Sequence, residues 1–296
     1  MDNKFSKNNE NSFEKDISSN SLNLKDDEKK AIELIRSGRL EDAARVYSQL
    51  IEAGSKNYIV YGNLAALMIK SKNRSINQII KLLNISLNLN PKFSDGYNNL
   101  GNILKEKGDL DSSINAYLNA IDINPSYPEA HFNLGNAYRD KGNIEKAINA
   151  FQASINLRPN YPKAYNNLGK LLIEFGELDQ AIYYIEKALY YSPRYVEALT
   201  NLGLIYYKKD NFPTALKVYK NVISISPEYF DAHNNLGILY QRIGNLKSAI
   251  KSFEKALNFN PKGADTFNNL GFALLESDDI NQSICMFRKA IKLRSI

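Results

Sequence analysis

The chain has 296 residues, of which 44% are hydrophobic and 24% are charged, a balance typical of a globular protein with a substantial buried core. Its formal net charge of +6 comes from 38 basic and 32 acidic residues spread along the whole sequence, so we expect no nucleic-acid partner and no membrane partner. The single cysteine, Cys285, excludes an internal disulfide and a thiolate-rich metal site.

The sequence carries no sign of membrane insertion or export. No apolar run approaches the roughly 18–20 residues of a membrane span, and the first 25 residues lack the hydrophobic region of a secretory signal. We therefore expect a cytoplasmic protein.

Residues 1–23 differ from the rest of the chain. They are rich in Asn, Ser, Lys and acidic residues, and their large apolar groups are only Phe5, Phe13, Ile17 and Leu22. Such a segment cannot bury enough apolar surface to offset the entropy lost on ordering. The composition predicts a disordered N-terminal tail over residues 1–23.

From residue 24 onward the sequence follows a repeat of 34 residues. Proline is tolerated in the first turn of a helix and breaks a helix interior, so its regular recurrence marks the boundaries of a repeated helical unit. Six prolines stand 34 residues apart, at Pro91, Pro125, Pro159, Pro193, Pro227 and Pro261.

Each unit predicts two helices that pack closely. With Ser94 as position 1, glycine recurs at position 8, small residues at positions 20 and 27, and large apolar residues at position 24. Small residues opposite large ones let two helices approach and interlock. A second glycine, as at Gly108, follows position 14 and ends the first helix. The unit is therefore a helix over about positions 1–14, a turn, and a helix over about positions 17–30.

The pattern resembles the tetratricopeptide repeat family, and one unit shows it in full through Tyr165, Leu168, Gly169, Leu172, Ala181, Ile185, Ala188 and Pro193. The resemblance implies an all-α fold, a right-handed superhelical solenoid of about eight helical hairpins whose first helices line a concave groove. Two degenerate units come first, and the second carries two extra residues near Ser71–Ser75. The solenoid over 24–296 is expected to comprise repeats at about 24–57, 58–93, 94–127, 128–161, 162–195, 196–229, 230–263 and 264–296.

The last unit is expected to expose an apolar patch. Phe272 and Leu275 stand at helix positions that are often polar, and Cys285 and Met286 replace the Lys-Ser or Asn-Ala pairs of other units. No further helix with a polar outer face follows this hairpin in the sequence. Because a contiguous apolar patch usually marks an interface, we expect a second copy or a further domain to cover it.

No residue pattern points to catalysis. His131 and His233 both fall at position 4, where other units carry Tyr, Leu or Phe, and they stand three repeats apart, so they cannot share a metal or a proton. Cys285 has no histidine in its own repeat, and the periodic glycines form no phosphate loop. We expect no catalytic residue, no metal and no cofactor.

A row of asparagines is the strongest candidate binding feature. Asparagine is mildly unfavourable within a helix, so its recurrence at position 6 calls for an explanation. In the family this position faces the groove, where amide donors and acceptors suit an extended peptide backbone. Asparagine at position 6 can equally link neighbouring repeats, and both interpretations stay open. The candidate peptide-binding residues are Asn63, Asn99, Asn133, Asn167, Asn201, Asn235 and Asn269 at position 6, with Asn102, Asn136 and Lys170 at position 9.

The resemblance therefore implies a non-catalytic scaffold that binds a protein or peptide in its groove. The asparagine array is similar to that of O-linked N-acetylglucosamine transferases, so the alternative is the substrate-recruiting arm of a glycosyltransferase or other modifying enzyme whose catalytic domain is absent from this chain. RNA binding is disfavoured because Lys105 and Arg139 alternate with Glu106 and Asp140.

Overall fold

The computed structural model describes residues 25–71 and 75–294, and within these ranges the chain forms helices and turns and no β-strand. The predicted tail over residues 1–23 lies outside the described residues. Helix α1 occupies residues 25–36. It is followed by α2 Leu40–Glu52, α3 Tyr58–Lys70, α4 Ile76–Leu89, α5 Ser94–Glu106, α6 Leu110–Ile123, α7 Pro128–Asp140, α8 Ile144–Leu157, α9 Pro162–Glu174, α10 Leu178–Tyr191, α11 Val196–Lys208, α12 Phe212–Ile225, α13 Phe230–Arg242, α14 Leu246–Phe259, α15 Ala264–Glu276 and α16 Ile280–Arg294.

The helices divide into two compact units, with the boundary between Ala150 and Phe151, inside α8. We call the odd-numbered first helix of each hairpin helix A and the even-numbered second one helix B. In the first unit α3 packs on α4 and α5 on α6, and each helix B also contacts the next helix A. In the second unit α9, α11, α13 and α15 pack on α10, α12, α14 and α16 in the same way. The all-α solenoid of about eight hairpins is confirmed, whereas the right-handed superhelix stays a prediction.

Within the units, hairpins are closed by a large side chain of helix B against a small residue of helix A. Tyr219 of α12 is 1% exposed, and its ring lies directly on the backbone of α11 at Gly203. In the second hairpin the small residue is Ala65 of α3 and the large one is Leu83 of α4. Both are fully buried in one core cluster. The small-against-large pattern of the sequence is therefore the physical basis of the hairpin.

The turn between helix A and helix B needs one residue in the left-handed conformation. Gly108 has this conformation, with φ of +88°, and its backbone N–H donates to the carbonyl of Lys105 to end α5. Asp210 and Asp278 stand at the same repeat position and have φ of 55° and 65°. Aspartate tolerates this conformation better than most residues do, so the turn is kept in hairpins that lack the glycine.

Candidate functional site

The seven position-6 asparagines all lie on A helices, where each side chain is half-buried. The first three stand on α3, α5 and α7 of the first unit, and consecutive helices of this set contact each other. The other four stand on α9, α11, α13 and α15 of the second unit, which are likewise in contact in sequence order. Within each unit the asparagines therefore follow one another from hairpin to hairpin.

Three of these asparagines donate a hydrogen bond to another asparagine in the preceding hairpin. In each case the position-6 amide donates to an asparagine at position 5 of the hairpin before it. Two of the accepting residues, Asn98 and Asn166, are only 6% and 4% exposed. The bonds run from Asn133 Nδ2 to Asn98 Oδ1 at 2.9 Å, from Asn201 Nδ2 to Asn166 Oδ1 at 2.9 Å, and from Asn269 Nδ2 to Asn234 Oδ1 at 3.2 Å.

The position-5 asparagines were not singled out from the sequence, although they carry a signal there. Asn98, Asn166 and Asn234 stand in the third, fifth and seventh hairpins, and Asn268 holds the same position in the last one. In the hairpin before Asn235 the same position holds Thr200, whose hydroxyl donates to the Val196 carbonyl of its own helix at 2.8 Å. The pairs therefore form where position 5 offers an amide oxygen.

The remaining position-6 side chains have other surroundings. Asn63 donates to the hydroxyl of the buried Tyr47 at 2.9 Å. Within the described residues, the side chains of Asn99 and Asn235 make no hydrogen bond to the protein. Asn99 lines a cavity of about 440 Å³ together with Asn63, Phe93 and Tyr127. This cavity lies between α3 and α5 and brings two of the predicted site residues together.

The three position-9 candidates differ from one another. The Asn102 amide oxygen accepts a hydrogen bond from the hydroxyl of Tyr117 at 2.7 Å, so part of this side chain serves the hairpin core. Asn136 is half-buried on α7, and Lys170 is exposed on α9. The later residues of this position are apolar, and Phe272 is 48% exposed.

Tyrosine and acidic side chains meet beside the A helices in both units. In the first unit the Tyr127 hydroxyl donates to Asp95. The pKa of Tyr127 is raised, mainly by burial and further by this hydrogen bond and the nearby negative charge. In the second unit burial raises the pKa of Asp231, while a hydrogen bond from Tyr229 and the charge of Lys170 oppose that shift. Each of the two tyrosine hydroxyls therefore donates a hydrogen bond to an acidic side chain.

The two histidines serve the turns between hairpins. The Nε2 atoms of His131 and His233 lie 3.1 Å and 2.8 Å from the carbonyl oxygens of Pro125 and Pro227. His233 is 3% exposed and stacks on Phe259, so it has the packing role expected of a ring at position 4.

Two more features of the described residues bear on function. These residues contain no group of three or more His, Cys, Asp or Glu side chains placed to hold a metal ion. None of their helices combines the length and apolar character needed to span a membrane.

Comparison with protein families identifies the repeat. A model described as TPR repeat matches residues 101–138, 135–174 and 205–244. Three models described as tetratricopeptide repeat match residues 82–115, 162–195 and 230–262, so that the matches together cover more than half of the chain. The chain belongs to the tetratricopeptide repeat family. Repeats of this family typically form non-catalytic scaffolds for protein–protein interaction.

Solved structures show the same fold. The chain resembles one in the Cut9–Hcn1 hetero-tetramer of the APC/C, with a TM-score of 0.67 and 17% identity over 89% of this chain, and it spans about half of that chain (52%). A tetratricopeptide repeat protein from Parabacteroides merdae matches with a TM-score of 0.69 and 18% identity, covering 81% of this chain and 94% of that one. YrrB matches with a TM-score of 0.50 and 20% identity, covering 67% and 98%. A search of curated proteins gave no significant match.

Proposed function

We propose that this protein is a non-catalytic scaffold that binds an extended polypeptide segment along its A helices through the position-6 asparagines. The observation that carries the proposal is the run of half-buried amides on successive A helices of each unit. An asparagine amide has two N–H donors and one acceptor oxygen. The bonds to Asn98, Asn166 and Asn234 each use a single N–H of the position-6 amide, so its oxygen and second N–H take no part in them.

These internal bonds also help a ligand. A side chain already held by a neighbouring hairpin loses little conformational freedom when a peptide binds, so less of the binding energy is spent on ordering it. The amides are therefore arranged in advance. An extended backbone presents N–H and C=O groups in turn, and this alternation matches the donors and acceptors of asparagine.

The cavity of the first unit supports the same proposal. Asn63 and Asn99 line it beside the rings of Phe93 and Tyr127, in a volume of about 440 Å³. Amides beside aromatic rings suit a backbone that carries an apolar side chain. YrrB, which shares the fold, is described as a tetratricopeptide repeat protein with an unusual peptide-binding site, so peptide binding occurs on this architecture.

The test uses the two asparagines that make no internal bond in the described residues. Peptides selected from a display library on the purified chain would be titrated against the parent, Asn99→Ala and Asn235→Ala. Because a neutral hydrogen bond contributes about 1 kcal/mol net, we expect each change to weaken peptides bound at its own unit about fivefold. Isothermal titration calorimetry gives the affinities, and thermal unfolding should stay close to that of the parent.

Asn221→Ala provides the matched control, because Asn221 is exposed on α12 and is not on an A helix. Its affinities should equal those of the parent. Asn133 and Asn201 are less suitable for this test, since their loss also removes a bond between hairpins. If every selected peptide binds Asn99→Ala and Asn235→Ala as tightly as it binds the parent, the asparagines serve the fold alone.

A second proposal concerns self-association through the last hairpin. Ile280, Ile284 and Ile291 form one stripe along α16, with exposed fractions of 58%, 45% and 66%. Phe272 and Leu275 of α15 are also exposed, at 48% and 46%. At the same repeat positions as Ile284 and Ile291, α14 carries Ile250 and Leu257, which pack against a core cluster that includes Leu270 and Leu274 of α15. We propose that a second copy covers the stripe on α16.

Replacing Ile280 and Ile284 with lysine is expected to abolish this association, because a charge at the centre of an apolar interface loses its water. Analytical ultracentrifugation of the parent should show a fraction of dimer that increases with protein concentration, and the double variant should stay monomeric. Ile243→Lys is the matched control, since Ile243 is also 45% exposed but lies outside α16. A parent that is monomeric at every concentration would contradict the proposal. Met286 is unsuited to the test because it packs against the core.

A further inference from the structure

Positive charge concentrates on three B helices of the second unit. Helices α12, α14 and α16 contain a single acidic residue, Glu254. Among their basic residues only Arg294 has an ion pair in the described part of the chain, and its partner is Asp265. The basic residues of these helices are Lys217, Lys220, Lys247, Lys251, Lys255, Arg288, Lys289, Lys292 and Arg294.

Three of these lysines surround one cavity. Lys220 of α12 and Lys251 and Lys255 of α14 line a cavity of about 270 Å³, and all three are exposed. No acidic residue lines this cavity. Three ammonium groups around one cavity repel each other, so a negatively charged ligand there is favoured by electrostatics.

The cavity wall beneath the lysines is partly apolar, and His233, Ser248 and Ser252 line the rest of it. Ile223 and Tyr240 are half-buried, and Leu236 is 7% exposed. Such a lining accepts an apolar side chain, which gains stability from leaving water. The site thus combines a partly apolar interior with a cationic rim.

This cavity is separate from the asparagine row. His233, Leu236 and Tyr240 line it from α13 and follow the i, i+3, i+7 spacing of one helix face. Asn235 lies on a different face of the same helix and does not line the cavity. Ligands at the two places would therefore contact different sides of α13.

We propose that the cavity binds an acidic protein segment, which inserts one apolar side chain between α12 and α14 and places carboxylates against Lys220, Lys251 and Lys255. Charge complementarity selects an anionic partner, and the concave site, partly lined by Ile223, Leu236 and Tyr240, suits a protruding side chain better than the flat surface of a bilayer. Single-stranded nucleic acid would need exposed aromatic rings on which bases stack, and Tyr240, the one tyrosine among the lining residues, is half-buried.

The test is fluorescence polarisation with a labelled peptide whose central leucine is flanked on both sides by glutamates. We expect the parent to bind it, and the double variant Lys251→Glu, Lys255→Glu to bind at least about tenfold more weakly, since two attractive charges become repulsive. The matched control is Lys217→Glu with Lys292→Glu, which changes the net charge equally on α12 and α16 but outside the cavity. The control should lose no more than about threefold, the part due to long-range charge.

Changing the probe tests the apolar part of the site. A peptide with serine in place of the central leucine should bind the parent at least about tenfold more weakly, since serine gains far less than leucine from leaving water. The four lysines changed in the cavity variant and its charge-matched control are all exposed, so the thermal unfolding of both variants should equal that of the parent. If the cavity variant is nevertheless unstable, Lys220→Glu provides a second variant of the cavity.

Three results would overturn the proposal. One is an equal loss in the cavity variant and in the charge-matched control, which would indicate diffuse attraction without a site. Another is indifference to the leucine-to-serine change in the probe. The third is binding of the parent to phosphatidylserine vesicles or to a polyuridine RNA under conditions in which the peptide does not bind.

Discussion

Replacing Gly237 with alanine is expected to destabilise the second unit by about 1–3 kcal/mol, the usual cost of overpacking a core. A methyl group at this position would lie 2.5 Å from Cε1 and 2.6 Å from Cδ1 of Phe253. Phe253 is fully buried, so its ring cannot turn aside without displacing other core residues. Helix propensity alone would favour alanine over glycine by about 1 kcal/mol, so a net loss isolates the contact with the ring. Urea denaturation followed by circular dichroism measures the change.

The second hairpin suggests a substitution that should restore stability to Gly237→Ala. In the second hairpin Ala65 and Leu83 occupy the repeat positions of Gly237 and Phe253, and both are fully buried. Combining Gly237→Ala with Phe253→Leu should therefore recover part of the stability that Gly237→Ala loses. If Gly237→Ala unfolds at the same urea concentration as the parent, the close contact between this ring and the backbone of α13 does not limit stability.

Most of the fold can be predicted from the sequence because it depends on residues that are close together in the chain. Pro128 and Pro162 stand at the starts of α7 and α9, where proline fits the first turn of a helix. The helices on either side of Ser71–Ser75 end at Lys70 and begin at Ile76, so the extra residues of the second repeat fall between helices. These features depend on neighbours within one hairpin, which is why a repeat pattern can predict them.

The candidate site is less accessible from the sequence because its bonds join different hairpins. Position 6 predicts the row, but the role of Asn201 depends on Asn166, 35 residues earlier and at a different position of the repeat. The basic cavity is hidden for a similar reason. Lys220 and Lys251 belong to different repeats, and a charge count over the whole chain does not separate the surfaces of A and B helices. The disordered tail over residues 1–23 and the cytoplasmic location stay predictions.

The asparagine pairs lead to the second large effect: Asn201→Ala is expected to cost about 1–3 kcal/mol, because it leaves a buried acceptor without its donor. That acceptor is Asn166 Oδ1, and Asn166 is 4% exposed. The nearby hydroxyl of Tyr195 is hydrogen-bonded to the same asparagine, so the lost bond belongs to a small buried network. Thermal and urea unfolding should both show the loss.

Asn235→Ala is the matched control, because it makes the same chemical change at the same repeat position of the next hairpin. There the position-5 residue is Thr200, whose hydroxyl already bonds to its own helix. Asn235→Ala should be neutral or slightly stabilising, since alanine has the higher helix propensity by about 0.5 kcal/mol. Adding Asn166→Ala to Asn201→Ala should cost less than the sum of the single changes, because both remove one bond. Equal losses at Asn201 and Asn235 would show that the pairing between hairpins adds nothing to stability, and that all position-6 asparagines are equivalent.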